Sequence, residues 1–427
     1  MAVTSLQATR FPRVEPQAPA HATVFTANMG LPVHRWFRYS AGFSAAWVEG
    51  VLANRSIERP LRVLDPFAGS GTTLIAAQVA GAEAWGVESH PFVTRVAQAK
   101  LRWTADPQVF VGRADAILQA AGEGQLPDPL PPLLGKIFPT TTLSRLYGLR
   151  DALLAARQDD DLDELLWLAL VAILRACSPA GTAQWQYVLP NKTKARVAEP
   201  FHAFRNQVAL MADDMRAMQR LPAPLLATLH VGDSRADLGA PDGWADLVIT
   251  SPPYPNNYDY ADATRIEMTF LGEIAGWGDL QQTVRRLLLR SCSQHMVRYD
   301  AKDDLASARL RPIADELHEV YVQLDKIRKE KGGRKSYHSM VVAYFADLAQ
   351  SWQLLRRAIA DGGEVIFVIG DSAPYGIHVP VERWLGELAL AAGFNSYAFE
   401  KLRDRNIKWK NRKHRVPLQE GLLVVKG

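Results

Sequence analysis

Cysteine is scarce in this chain of 427 residues, which contains only Cys177 and Cys292. Without a Cys-x-x-Cys pair we expect neither a zinc site nor a disulfide framework, and we predict two buried thiols and no bound metal. Long apolar runs are also lacking, because the longest, residues 164–178, is too short and too closely flanked by charge to span a membrane. Residues 1–22 lack the apolar core of a signal peptide, so a cytoplasmic protein is predicted.

A strong excess of charge is missing as well. The net charge is only +4, and the composition, 48% hydrophobic and 22% charged, is ordinary for a globular protein. Global charge therefore does not establish a nucleic-acid partner, and local clusters have to be considered instead. The chain has no internal repeat, and its length indicates one large domain with insertions or two domains.

Apolar runs of strand length alternate with helical patterns along much of the chain. "LRVLD", "EAWGVES" and "WADLVITS" are typical of buried strands, and the first two are joined by a predicted helix from about Thr72 to Val79. The last part, from Asn395, predicts a terminal β-hairpin. This alternation predicts an α/β fold with a doubly wound, mostly parallel sheet, a helical insertion and a C-terminal β-hairpin.

A glycine-containing turn, "DPFAGSGTT", joins the first predicted strand to its helix. Gly69 and Gly71 allow positive φ and a close backbone approach to a ligand at the carboxyl end of the strand. Glu88 ends the second strand about twenty residues later, where a carboxylate can bind the two hydroxyls of a ribose. The turn is neither a P-loop nor a GxGxxG motif. The alternative is a turn that only connects strand and helix.

A second motif, "TSPPY", follows the apolar run Leu247 to Ile249. Two prolines cannot continue a sheet ladder, because neither has an N–H to donate. The strand therefore ends in a stiff turn with the Ser251 hydroxyl before it and the Tyr254 ring after it. Considered alone, the stretch could also be a strand-terminating turn with a packed tyrosine.

Together the two motifs resemble those of the S-adenosylmethionine-dependent amino-methyltransferases that act on DNA. The resemblance implies the Rossmann-like, seven-stranded methyltransferase sheet, S-adenosylmethionine as cofactor and double-stranded DNA as partner. "VHRWFRYSAGFSAAWV" resembles the helix that closes over the methionine end of the cofactor, and "HVGDSRADL" the segment whose Asp contacts adenine. The cofactor-binding residues implied are Phe43, Asp65, Pro66, Phe67, Gly69, Ser70, Gly71, Thr72, Glu88, Ser89, Asp233 and Ser234.

The resemblance also implies how the chain is divided. The predicted parts are a flexible N-terminal arm, 1–30; a cofactor-binding half, 31–115; a mainly helical insertion, 116–228, which is a candidate for target recognition; and a catalytic half, 229–427, with 272–340 as a candidate DNA-contacting insertion. The cofactor half precedes the catalytic motif here, whereas members with the most similar glycine motif usually have the reverse order. Expectations about the position of target recognition therefore transfer poorly.

An exocyclic amine is a poor nucleophile because its lone pair is delocalised into the ring. Hydrogen bonds to the Ser251 Oγ and the Pro252 carbonyl would favour a tetrahedral nitrogen, and Pro253 helps to fix that carbonyl. In-line attack on an activated methyl sulfonium then needs mainly positioning and desolvation. Tyr254 would stack on the base once it is flipped out of the duplex. Asp259 and Tyr260 either line the base pocket or cap the next helix.

DNA contacts are expected in a basic segment near the end of the chain. Its lysines and arginines surround one aromatic residue, Trp409. This combination suits phosphate binding and base stacking, although such a run can also be a solvated surface. The predicted DNA-binding residues are Lys408, Trp409, Lys410, Arg412, Lys413 and Arg415. Two other basic stretches, 191–196 and 325–339, are further candidates.

Serine before Pro-Pro-Tyr is most typical of cytosine-N4 enzymes, so this specificity is the leading hypothesis, in restriction–modification or phage defence with partner proteins encoded separately. The alternatives are adenine-N6 methylation, methylation of RNA bases, and a nucleic-acid-binding module without activity. Carbon-5 methylation of cytosine needs a cysteine nucleophile. Neither Cys177 nor Cys292 follows a proline or a strand end, so this chemistry is not expected.

Overall fold

A computed structural model describes residues 25–39, 42–55, 59–183, 187–296, 299–333, 335–405 and 416–427. The strands are β1 Arg62–Asp65, β2 Glu83–Glu88, β3 Ala180–Thr182, β4 Val188–Thr193, β5 Ala227–Val231, β6 Ala245–Thr250, β7 Ile359–Gly370, β8 Ser396–Arg405 and β9 Leu418–Lys426. The α-helices are α1 Ala45–Ala53, α2 Thr72–Val79, α3 Pro91–Leu101, α4 Pro107–Ala120, α5 Pro132–Ile137, α6 Thr140–Ala155, α7 Asp161–Cys177, α8 Pro200–Met218, α9 Arg265–Leu271, α10 Leu280–Thr283, α11 Lys302–Leu305, α12 Ala314–Glu330, α13 Tyr337–Ala358 and α14 Val381–Ala391. Short 3₁₀ segments are Phe25–Gly30, His34–Trp36, Asp262–Thr264, Trp277–Asp279, Arg285–Leu287, Ser293–Met296, Ala308–Ile313 and Pro374–Gly376.

Seven strands form one sheet in the order β5-β2-β1-β6-β7-β9-β8. The first five are parallel, and β9 and β8 are antiparallel to their neighbours. The predicted seven-stranded, mostly parallel sheet with a terminal hairpin is therefore confirmed. Strands β1 and β6 are neighbours although about 180 residues separate Leu64 from its partner Val248. The two halves of the sheet are therefore joined by a contact between residues that are distant in the sequence.

Alternate side chains of the central strands enter different cores, as the two-residue period of a strand requires. Val63, Leu247 and Ile249 pack with helices α1 and α2. Leu64 and Val248 pack with α13 and α14 on the opposite face. Burial on both faces explains why these strands read as continuous apolar runs rather than as alternating ones.

The helices between α3 and α9 form a third core. Three of these helices, α3, α4 and α8, have proline in their first turn, where its missing N–H costs no hydrogen bond. In each, the side chain of the preceding residue caps the helix: His90 caps α3, Asp106 caps α4 and Glu199 caps α8. Helix α4 runs through residue 115, at which we had placed the end of the cofactor-binding half. The helical insertion therefore shares its packing with α3.

Two predicted segments differ in detail. The stretch 33–52, which has helical spacing, forms a 3₁₀ turn at His34–Trp36 and then α1, with residues 40–41 outside the described part. The stretch 178–200, whose polar, basic and aromatic sequence predicts a long ordered loop, contains the antiparallel pair β3–β4. Basic residues 191–196 thus lie at and just after the end of β4, and Lys194 donates to the Arg175 carbonyl at 2.6 Å.

Candidate active site

The carboxyl ends of β1, β2, β5 and β6 meet at one edge of the sheet, where the strand order reverses between β1 and β6. Ligands of open α/β folds bind at such a switch point. A solvent-open cavity of about 590 Å³ lies there. It is lined by Tyr39, Pro66, Phe67, Gly69, Val87, Glu88, Ser89, His90, Gly232, Asp233, Ser234, Ser251, Pro253, Tyr260, Leu288 and Leu289.

The glycine turn after β1 forms one wall of this cavity. Gly69 has φ 53° and Gly71 has φ 85°, in the left-handed region that favours glycine. A Cβ on Gly69 would lie 3.6 Å from the Tyr39 ring, an ordinary contact, so the backbone conformation rather than space requires glycine. Ser70, Gly71 and Thr72 are buried behind the wall and do not line the cavity.

Asp65, predicted to bind the cofactor, lies beneath the cavity and does not line it. Its side chain is 1% exposed. Thr250 Oγ1 donates to Oδ1 at 2.5 Å, Thr73 Oγ1 donates to Oδ2 at 2.6 Å, and the Phe67 N–H donates to Oδ1 at 3.0 Å. Burial raises the pKa of Asp65 to about 6, although these hydrogen bonds lower it. The structure thus gives Asp65 a structural part: it ties the ends of β1 and β6 to α2.

Glu88 ends β2 and lines the cavity. Its Oε2 accepts the Gly69 N–H at 2.8 Å, and its Oε1 accepts the N–H groups of Ser89 and His90 at 3.0 and 2.8 Å. A carboxylate has about four acceptor positions, so one remains for a ligand. Burial raises the pKa of Glu88 to about 7, although the three N–H donors lower it.

Asp233 and Ser234 follow β5 and also line the cavity. Arg235 holds the Asp233 carboxylate from one side, with its Nε at 2.8 Å from Oδ1 and its Nη2 at 2.6 Å from Oδ2. A two-pronged pair of this kind fixes the plane of the carboxylate. The Asp233 side chain keeps 30% exposure, which leaves it accessible from the cavity.

The stiff turn after β6 contributes Ser251 and Pro253 to the cavity, whereas Pro252 is buried. The Ser251 hydroxyl donates to the Val368 carbonyl of β7 at 3.1 Å. Tyr254 is half-buried and does not line the cavity itself. Its hydroxyl group hydrogen-bonds to Ser251, and the Arg405 guanidinium lies 5.2 Å from the centre of its ring. Burial raises the pKa of Tyr254 above its usual range.

Asp259 and Tyr260 have different environments. Asp259 is buried and paired with Arg285, whose Nη2 lies 2.6 Å from Oδ2, and it accepts the Asp262 N–H at the start of a 3₁₀ turn. Tyr260 lines the cavity, and the Tyr254 N–H donates to its hydroxyl. Of the two alternatives considered for this pair, capping describes Asp259 and pocket lining describes Tyr260.

Curated relatives of this chain are modification enzymes. It is 24% identical to the type II methyltransferase M.AvaI of Nostoc sp. over 414 residues, which cover 87% of this chain and 81% of that protein. M.BsoBI of Geobacillus stearothermophilus, also a type II methyltransferase, is 24% identical over 429 residues, covering 89% and 82% of the two chains. Over most of its length the chain is thus similar to type II methyltransferases, which agrees with the resemblance that the two motifs carry. No profile of a known protein family matches it.

Sequence reasoning missed several residues that line this cavity. Tyr39 lies within the stretch that resembles the closing helix, but Phe43 was chosen instead. The structure places Phe43 in the core beside Trp47, with ring centres 6.0 Å apart, and not at the cavity. Leu288 and Leu289 come from a segment without any recognised motif, so only the fold could bring them to the cavity.

Other predictions lie outside the cavity. The residues predicted to bind DNA all fall outside the described part of the chain: Lys408, Trp409, Lys410, Arg412, Lys413 and Arg415. Cys177 and Cys292 are buried free thiols, as predicted, and burial raises the pKa of each to about 12. Across the described ranges, no helix combines the length and apolarity needed to cross a bilayer.

Proposed function

We propose that this chain transfers a methyl group from S-adenosylmethionine to the exocyclic N4 amine of a cytosine flipped out of duplex DNA. One observation carries the proposal: a single cavity is lined both by the strand-end carboxylates Glu88 and Asp233 and by Ser251 and Pro253 of the stiff turn. Cofactor-binding and amine-binding groups therefore face the same space. The names of the relatives support methylation in a restriction–modification or phage-defence setting, with cleavage by a separate protein.

The cavity fits the proposed cofactor. It opens to solvent at the carboxyl ends of the parallel strands, where open α/β folds bind their ligands. Glu88 retains an acceptor position suited to a ribose hydroxyl, and Asp233 offers a carboxylate to the adenine amine. Pro66, Phe67 and Leu289 supply apolar surface. When bound, the cofactor supplies a methyl group already activated on a sulfonium, so neither a strong base nor a metal is required.

The Ser251 hydroxyl suits the role of a hydrogen-bond acceptor. Its proton is directed to the Val368 carbonyl at 3.1 Å, and the Tyr254 hydroxyl uses one of its two oxygen lone pairs, which leaves the other for an incoming amine. The Pro252 carbonyl is the second acceptor in our proposal, held in direction by the fixed φ of the two prolines. Two acceptors on one amine favour a localised nitrogen lone pair for in-line attack.

Tyr254 is proposed to stack on the flipped base. Arg405 occupies one face of its ring, so the base would use the other. Stacking of a base on an aromatic ring is worth about 1–3 kcal/mol, comparable with the few kcal/mol needed to flip a base out. Stacking therefore offsets much of the flipping cost without any base-specific contact.

The product of the reaction tests the proposal. The protein is incubated with labelled S-adenosylmethionine and duplex DNA of varied sequence, the DNA is digested to nucleosides, and the product is identified by mass spectrometry. N4-methylcytosine is the expected product. N6-methyladenine would reassign the target base, and label found only in RNA would refute a DNA substrate. Unlabelled nucleic acid in every reaction would refute methyl transfer.

A further inference from the structure

The segment 285–290 forms a wall of the cavity although it carries no recognised motif. Leu288 and Leu289 line the cavity, and each is less than one-tenth exposed. Arginines stand at both ends of this wall, at Arg285 and Arg290. Because a short segment with little regular structure does not hold its own position, its attachment to the rest of the fold determines the shape of the cavity.

Both arginines are anchored on buried carboxylates. Arg285 pairs with Asp259 at 2.6 Å, and its guanidinium lies 4.2 Å from the centre of the Trp277 ring. Arg290 pairs with Asp347 of α13, with Nη2 at 2.6 Å from Oδ1, and its backbone N–H donates to Asp347 Oδ2 at 2.9 Å. The wall is thus held at each end.

Asp347 has a second arginine partner. Arg235 Nη1 donates to Asp347 Oδ2 at 3.0 Å, while the same guanidinium holds Asp233 through its Nε and Nη2. Arg235 Nη2 also lies 3.4 Å from the carbonyl of Leu287, within the wall. Asp347 is 1% exposed. One buried carboxylate therefore fixes the orientation of both the cavity carboxylate Asp233 and the apolar wall.

We propose that Asp347 is a positioning residue for the adenine end of the cofactor site, acting through Arg235 on Asp233 and through Arg290 on Leu288 and Leu289. The inference rests on the proposed function, since it takes Asp233 as the acceptor of the adenine amine. A carboxylate held in one plane presents its lone pairs to that amine without rearrangement, and a fixed leucine wall gives the planar ring an apolar surface.

The test compares two ligands that differ at the group that Asp233 recognises. S-adenosylhomocysteine has the 6-amino donor, whereas S-inosylhomocysteine has an oxygen there. Dissociation constants are measured by calorimetry for the wild-type protein and for Asp347→Asn. The wild-type protein is expected to prefer the amino ligand by at least about tenfold, the factor that corresponds to about 1.4 kcal/mol. Asp347→Asn is expected to lose most of this preference, with a larger effect on the KM for S-adenosylmethionine than on kcat.

Asp246→Asn is the matched control. Asp246 also bridges two arginines, Arg59 and Arg62, but it lies at the start of β6, at the opposite edge of the sheet. Its replacement should leave the preference unchanged. An equal preference in Asp347→Asn and Asp246→Asn would overturn the positioning role while leaving the proposed function intact. Failure of the wild-type protein to bind S-adenosylhomocysteine would refute both.

Arg235→Lys provides a second route if Asp347→Asn does not fold, as judged by circular dichroism. Lysine keeps the charge but cannot hold a carboxylate with two parallel hydrogen bonds. A partial loss of the ligand preference is therefore expected in this variant, with wild-type secondary structure. A full wild-type preference would contradict the inference.

Discussion

At the scale of single residues, Tyr254 joins the turn after β6 to the end of the chain. Its hydroxyl hydrogen-bonds to Ser251 and its ring lies against Arg405 at the end of β8. It does not line the cavity itself. The ring can therefore be changed without altering the cofactor-binding groups.

We expect Tyr254→Ala to reduce kcat/KM for DNA by about 5- to 150-fold, the loss expected from about 1–3 kcal/mol of base stacking. Tyr254→Phe keeps the ring and should lose much less activity. Steady-state kinetics measure the activity on DNA, and calorimetry with S-adenosylhomocysteine measures the affinity of the cofactor site. A collapse of cofactor affinity in the alanine variant would count against stacking.

Glu88 has a pKa of about 7, so its charge changes near neutral pH. Only the ionised form offers its free lone pair to a ribose hydroxyl without a competing proton. The affinity for S-adenosylhomocysteine should therefore be highest above pH 7 and should fall as the pH decreases through about 7. Calorimetry between pH 6 and 8 measures this dependence.

The titration of Asp65 has to be distinguished from that of Glu88 in this experiment, because the pKa of Asp65, about 6, is close to that of Glu88. The pKa of His90, about 4, lies below the tested range. Glu88→Gln is expected to bind more weakly, and with little change between pH 7 and 8. If the variant kept the full wild-type pH profile, Glu88 would not be the group responsible.

At the scale of elements, the turn between β1 and α2 combines two requirements. The backbone has to adopt a positive φ at Gly69, and the Gly69 N–H has to donate a hydrogen bond to the Glu88 carboxylate. Gly81, just after α2, has a similar φ of 72° but nothing within 4 Å of a Cβ. Both glycines therefore have a positive φ that disfavours any residue with a Cβ, but only Gly69 lies at the cavity.

Replacement of either glycine by alanine should lower the free energy of unfolding by about 1–2 kcal/mol, the cost of a left-handed conformation for a residue with a Cβ. Only Gly69→Ala should also weaken cofactor binding, because only this residue borders the cavity and Glu88. Urea denaturation and calorimetry distinguish the two effects. Equal cofactor affinity in both variants would contradict this role of the turn.

Local patterns predicted the elements that carry the motifs. The helix expected from about Thr72 to Val79 is α2, and the strand expected to end at Glu88 is β2. These elements are determined by neighbours in the sequence, namely apolar runs and a glycine turn. The strand–turn positions of Gly69, Glu88 and Ser251 could be read from the sequence for the same reason.

The remaining residues of the site could not be predicted, because tertiary contacts place them. Leu289 lines the cavity beside Arg290, which pairs with Asp347, 57 residues further along. Asp65 fits the resemblance as a cofactor ligand, but two threonines and a backbone N–H use its oxygens. Neither of these contacts produces a pattern of periodicity or composition that a single sequence could show.

At the scale of the whole molecule, a basic and aromatic surface lies beyond the end of β7, on the same edge as Ser251. Lys331 lies 5.6 Å from the centre of the Tyr375 ring, and Lys335 lies 5.6 Å from that of Tyr337. Tyr337 and Tyr375 pack edge-to-face at 4.8 Å. Exposed cations beside aromatic rings suit a nucleic-acid backbone and its bases.

We expect the double variant Lys331→Glu/Lys335→Glu to bind DNA more weakly and with a shallower salt dependence. Loss of two phosphate contacts would reduce the slope of log K against log[salt] by about 1.8. Lys426→Glu, at the opposite edge of the sheet, is the control. Binding titrations at several salt concentrations measure the slopes, and identical slopes in all three proteins would contradict a DNA contact at this surface.

The position of β9 has a consequence for the integrity of the sheet. This strand, Leu418–Lys426, lies between β7 and β8 and pairs with both. A chain that stopped before Leu418 would leave residues 364–370 of β7 as an open, largely apolar edge and would leave β8 without its partner. Such edges pair readily with other chains. Loss of the ten residues from Leu418 onward would thus promote self-association rather than merely shorten the molecule.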